Sequence, residues 1–259
     1  MSYLIATHLC DRRRSLLSWG IPLGLWSAFI VAIFPSLEDT LSKLAKSYPP
    51  ALKEAFGVAG LTNVEQYLQA EMLSLIVPLA LGYLAVRAVA SGLSGAAESG
   101  RLDVLLSAPV SRSNLAAASF AATAVELAAV LVVTIVFAAL GSVVSGAGLE
   151  FASAVAGFAN VWPLALLFAG LGVVATGFSL RTSVVTGSVA GVLVSMYVID
   201  LIGRLDPGLS GVRYLSVFKY YGNAIEDGIE PLAFCGVTLA GVALAAIGAW
   251  LFDRRDISG

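Results

Sequence analysis

Histidine occurs once among the 259 residues, cysteine twice and lysine four times, and each scarcity closes off a kind of chemistry. His8 stands ahead of the first apolar run, so no histidine remains to act as base for an intramembrane serine or to hold a catalytic zinc. The Gly-x-Ser-Gly strings at Gly92 to Gly95 and Gly208 to Gly211 are therefore read as small-residue turns. No Gly-x-Gly-Asp string surrounds Asp200, which follows Ile199, and this sets aside the aspartyl intramembrane proteases. Of Lys43, Lys46, Lys53 and Lys219, only Lys46 precedes a hydroxyl residue, and Ala45 stands where a phosphate-binding loop needs glycine. Nucleotide hydrolysis within this chain is excluded. No catalytic residue, metal site or cofactor is expected in it. Cys10 and Cys235 are expected near opposite membrane faces, too far apart to pair.

Charge is scarce as well. Only 12% of residues are charged against 58% hydrophobic, the mean hydropathy is +0.90, and a net charge of -2 gives no basic field for nucleic acid. What is abundant is apolar sequence in blocks of about twenty, the length that crosses a hydrocarbon core of roughly 30 Å as a helix. Lipid satisfies no backbone groups, so the blocks must be helical. They run from Leu16 to Phe34, Met72 to Leu93, Leu115 to Val144, Trp162 to Leu180, Val184 to Ile202 and Leu232 to Phe252. Together they predict an all-α integral membrane protein, one transmembrane domain over residues 1–259 with six spans. The first run is longer than a signal-peptide core and is read as a retained span. Arg12, Arg13, Arg14, Arg87, Arg101, Arg112, Arg181, Arg254 and Arg255 fall on one side, which places both termini in the cytoplasm of a multi-pass cell-membrane protein.

The connections carry their own patterns. Leu37, Leu41, Leu44 and Tyr48 recur at helical spacing before Pro49 and Pro50, predicting a short amphipathic helix in the first outer loop. Thr62 and Glu65 have capping-box spacing, which would start a helix that runs into the second span. The segment from Gly203 to Glu230 is expected to lie along the membrane or partly re-enter it. Within the spans, Glu126 is either a substrate or proton contact or a buried structural acid. Asp200 and Arg204, four apart, predict a local ion pair. Small-residue stripes at Gly187, Gly191 and Ser195, and at Gly241, Ala245 and Ala249, allow close helix contact within one chain or between two.

Between the second and third spans the chain reads Glu98, Ser99, Gly100, Arg101, Leu102, Asp103, Val104, Leu105, Leu106, Ser107, Ala108, Pro109, Val110, Ser111, Arg112. It is too short to cross the membrane and suits a helix at the cytoplasmic surface. In Glu98, Gly100, Leu102, Asp103, Leu105, Leu106, Pro109, Val110, Ser111 and Arg112 it resembles the permease subunits of type-2 ABC exporters, with Arg101 in place of their usual threonine. The resemblance implies a transmembrane subunit that forms the substrate pathway as a dimer with a second permease copy or paralogue. It also implies separate ATP-binding subunits, which would carry the ATP and magnesium. Gly100, Leu102, Asp103, Leu105, Leu106, Pro109 and Arg112 would form the coupling helix, and an N-terminal interfacial helix with Arg12, Arg13 and Arg14 would lie beside it. Glu126 would be the candidate in the pathway. The competing classes are a secondary transporter, which should show paired intramembrane charges and broken helices in two halves, and a non-transporting scaffold.

Overall fold

The structure is a computed structural model that describes residues 13–47, 63–100 and 111–254. Among these residues every regular element is helical, and six helical stretches are long and apolar enough to cross a membrane. Helix α1, Arg13–Ser47, contains the first span and continues without interruption through Leu37, Leu41 and Leu44. The expected separate amphipathic helix is thus the extension of the first span. Pro35 removes one backbone donor and crowds the carbonyl of Val31, yet the helical repeat on both sides carries the helix onward. Ser36 Oγ beside it donates to the Ile33 carbonyl at 2.6 Å.

The second span is built from three pieces. Helix α2, Val64–Leu68, is followed by a π-helical turn, Gln69–Leu73, and by α3, Ile76–Glu98. The cap that starts α2 is Asn63, whose Oδ1 accepts from the Gln66 amide at 2.8 Å. Thr62 lies outside the described residues, and Glu65 turns away from a capping box to accept the Glu150 amide at 2.9 Å. The capping register is therefore one residue later than the sequence suggested, because asparagine caps as well as threonine does. In the π turn the Gln69 carbonyl accepts both the amide and the hydroxyl of Ser74, each at 2.8 Å. Pro78 follows in the first turn of α3, where a missing amide costs least.

Helix α4, Arg112–Ser145, is the third span and ends on Gly146 at φ 70°, a left-handed conformation suited to glycine. The fourth span starts earlier than expected, as α5, Phe151–Ala159, joined at Asn160 to α6, Val161–Phe178. Pro163 cannot donate to the Ala159 carbonyl, which accounts for the joint there. Helix α7, Thr182–Leu205, is the fifth span; a 3-10 segment, Pro207–Leu215, and two single turns, α8 (Phe218–Tyr221) and α9 (Ala224–Asp227), lead to the sixth, α10 (Pro231–Asp253). The 3-10 segment lies wholly at the surface, whereas Val217, Phe218, Ala224 and Ile225 are buried. The connection thus tucks back into the bundle at its second half.

Glycines set how closely the helices approach. Helices α1 and α4 run parallel, with Gly20 against Val133, Gly24 against Phe137 and Gly141 against Ala28. Helices α6 and α10 also run parallel, with Gly241 against Leu166 and Leu167 and Gly248 against Val173 and Val174. Gly241, Ala245 and Ala249 are consequently part of the internal packing. The other stripe is not. Gly187 and Gly191 have open space where a Cβ would stand, and Ser195 on the same face is exposed. A Cβ at Gly248 would come within 2.5 Å of backbone atoms of Val173 and Val174. Gly248→Val should therefore destabilise the detergent-solubilised protein by on the order of 1–3 kcal/mol or more. Gly236→Val, in open space on α10, should change it by less than about 0.5 kcal/mol. Thermal unfolding followed by size-exclusion chromatography distinguishes the two.

Candidate functional site

The face on which α3 ends and α4 and α7 begin, here called the terminal face, carries the two ends of the sequence motif. Helix α3 ends in an arranged stop: the Ser99 amide and hydroxyl both donate to the Gly95 carbonyl, at 3.1 and 2.7 Å, and the Gly100 amide donates to Ala97. Gly100 has φ +69°, so the motif's glycine occupies a position where a side chain would be strained. Beyond the motif Ser111 Oγ accepts the Asn114 amide at 3.2 Å, capping α4, whose first residue is Arg112. Gly100 and Arg112 are thus placed at two prepared helix termini. Leu102, Asp103, Leu105, Leu106 and Pro109 lie outside the described residues, as does Arg12. Arg13 and Arg14 form the first described turn of α1.

The structure adds a connection that the sequence did not disclose. Glu98, the first residue of the motif, receives the backbone amide of Thr182 at 3.0 Å on one carboxylate oxygen and the Thr182 hydroxyl at 2.7 Å on the other. Helix α7 has no capping side chain of its own at Arg181, so a carboxylate from another span caps it. No spacing rule reveals a cap supplied from 84 positions away.

Glu126 is 3% exposed and lies on the inward stripe of α4 with Ser119 and Thr123. It faces protein. Trp162 at the start of α6 donates its indole N–H to the Ala124 carbonyl at 3.0 Å, which ties the fourth span to the third beside this carboxylate. The stagger of α1 on α4, extended toward the chain start, sets Glu126 level with the basic end of α1 at Arg13 and Arg14.

At the opposite, loop face, Asp200 is 3% exposed and accepts from Arg204 Nε at 2.7 Å, the expected pair. It also accepts from Arg213 Nε at 2.9 Å, a partner from the 3-10 segment that helical spacing could not reveal. Arg213 reaches inward because Gly203 has no side chain, and its aliphatic stem lies against that glycine. Lys219 is engaged with Tyr214, and its hydrogen bond and charge hold that exposed phenol below the ordinary tyrosine range. Burial pushes the Tyr221 hydroxyl above that range, against the pull of Arg204. Among the described residues no cluster of side chains suited to a metal occurs.

With this geometry in place, likeness to known proteins can be assigned. Residues 5–253 match the family described as the C-terminal domain of the multidrug efflux system permease Rv1217c. The chain belongs to that family. No curated protein matches it. The six apolar spans and the family together identify a multi-pass transport permease, in agreement with the resemblance seen in the motif. In this permease the motif is anchored to the fifth span by Glu98, and that contact is open to a direct test. Glu98→Ala should speed hydrogen exchange at the first amides of α7, Thr182 foremost, while exchange in the middle of α6 stays unchanged. Equal protection in both proteins would show that Glu98 does not cap α7.

Proposed function

We propose that this permease is the membrane-spanning subunit of an ATP-driven ABC exporter, with hydrolysis performed by separate ATP-binding subunits and the transport path completed by a second permease copy or paralogue. The observation that carries the proposal is the match to an efflux permease domain over nearly the whole chain. Its six spans then supply the path, and its motif supplies the link to an ATPase. The cargo class is small apolar or amphipathic compounds, after the relative's description as a multidrug permease. The termini and the motif lie on the cytoplasmic side in this scheme, as the arginine distribution requires.

The coupling follows from the terminal face. An ATPase that holds the segment between Gly100 and Arg112 pulls directly on the end of α3 and the start of α4. Through Glu98 it pulls on the start of α7 as well. Along its length α7 buries only Val185, Val189, Leu193, Asp200 and Gly203, with Leu193 against Gly82 of α3. A helix held by one line of side chains is the span most readily displaced. Its exposed stripe of Gly187, Gly191 and Ser195 is the face we assign to the second permease copy. Glu126 is assigned to the pathway side of α4 as the candidate contact for cargo or a proton.

Two experiments test this scheme. In proteoliposomes containing the permease and its ATPase, replacing Leu102 and Leu105 by serine should remove apolar anchors contributing about 1.5–3 kcal/mol each when fully buried. Copurification of the ATPase or drug transport should then fall at least tenfold, while membrane insertion persists. Unchanged copurification and transport would reject the coupling assignment. Separately, a lone cysteine at Gly191 in a background lacking Cys10 and Cys235 should give an oxidised dimer band, and one at Leu239 of α10 should not. The reverse pattern would place the partner elsewhere.

A further inference from the structure

The efflux scheme makes no use of a cleft at the loop face between the π turn and the end of α7. Gln69 and Ser74 come from the π turn, Tyr197, Asp200 and Arg204 from α7, and Tyr221 from α8. Their charges do not balance. One carboxylate, Asp200, faces the two guanidiniums of Arg204 and Arg213, leaving one positive charge in excess. Other charged residues nearby are directed elsewhere: Asp206 accepts the Gly208 amide, Lys219 engages Tyr214, and Glu71 on the π turn is exposed and does not line the cleft.

The donors are in excess too. Two guanidiniums carry about ten N–H groups, whereas a carboxylate offers roughly four lone-pair sites. The side chains of Arg204 and Arg213 remain 23% and 26% exposed, so their outer edges are accessible while Asp200 holds their Nε atoms. The arrangement is built before any ligand arrives. Gly203 seats the stem of Arg213, and Ser216 fixes the connection by donating to the Met196 carbonyl at 2.7 Å and accepting the Phe218 amide at 3.1 Å. Phe218 and Leu201 add apolar wall next to these donors.

We propose that this cleft binds the singly charged anionic headgroup of an amphipathic molecule, a phosphate diester or carboxylate, approaching from the leaflet on the loop face. Arg204 contacts the anion from inside the cleft. Its planar fork suits two oxygens of one phosphate or carboxylate, which a lysine cannot match. The hydroxyls of Tyr197 and Tyr221 and the amide of Gln69 supply neutral donors around it. Asp200 is the positioning residue that keeps both arginines in place and limits the net charge to one. The site does not depend on ATP coupling, so it stands or falls separately from the exporter assignment.

The test uses the full permease in a neutral detergent, without any ATPase, and native mass spectrometry to count bound lipid. Phosphatidylglycerol and phosphatidylcholine with identical acyl chains are the probes. The wild type should retain phosphatidylglycerol about tenfold better, the scale of one charge-assisted contact. Arg204→Gln should bring the preference to within about twofold, and Gly203→Ala should weaken it by displacing Arg213. Arg254→Gln, on the terminal face, should leave it unchanged. If Arg204→Gln does not fold, Arg204→Lys decides, because it keeps the charge and should still lose several-fold in preference. Displacement of phosphatidylglycerol by millimolar inorganic phosphate would support the site and assign its selectivity to the anion alone; resistance to phosphate would support it with the acyl chains required. A preference that survives in the Arg204 variants, or that is absent from the wild type, overturns the proposal.

Discussion

Lipid offers the backbone no hydrogen-bond partner, and among the described residues three departures from regular α-helix are met by identified donors or acceptors. Where the second span widens into a π turn, Ser74 returns both its amide and its hydroxyl to the Gln69 carbonyl. At the joint in the fourth span, the Asn160 side chain donates to the Tyr221 carbonyl and so fastens the folded-back connection to the bundle. At the start of the fifth span the missing cap is provided by Glu98. Polar side chains are few in this sequence, and several of those present act at helix ends and breaks. The rest of the architecture depends on this economy, since the apolar stripes can only pack once the helix ends are satisfied.

The number and order of the spans were legible because a helix that crosses lipid must spend about twenty apolar residues in a row, and little else in the chain imitates that. The boundaries were less so. The start of the fourth span was missed by eleven positions because Glu150, Ser153 and Asn160 break the apolar run without breaking the helical course. The amphipathic repeat at Leu37 to Leu44 was recognised, but it was assigned to a separate helix in the first outer loop, whereas α1 runs into it without interruption. Gly100 and Arg112 were read as parts of a coupling helix, and the structure puts them at helix termini, a glycine after α3 and the first residue of α4 behind a serine cap. The Asp200 and Arg204 pair was legible because its signal is local, four positions along one helix. Arg213 and Glu98 were not, since each finds its partner through tertiary packing.

Helix α7 combines a weak middle with strong ends. Its long exposed face leaves α3 as its main lateral support, while a carboxylate holds its start and two guanidiniums gather at its finish. Mechanically this is a rod fixed at both tips. An intact α-helix without internal proline resists bending, so the two held ends keep a fixed separation. The sixth span differs, for it is packed closely along α6 through Gly241 and Gly248. The bundle therefore combines tightly glycine-packed helix pairs with one sparsely buried helix, whose polar contacts to other elements lie toward its ends.

The π turn of the second span has a consequence for how this protein can vary in length. A π turn closes its hydrogen-bonded ring over five residues where an α turn uses four, so it holds one residue more than the straight helix would need. Gln69–Leu73 is therefore the place where a single-residue deletion is most readily taken up, whereas an equivalent change in the middle of α3 would rotate Leu81, Leu84 and Ala85 off the buried face. Relatives that have lost or gained a residue in this span should differ at this turn. Their sequences, aligned through it, would show whether the wider turn was acquired by insertion or inherited.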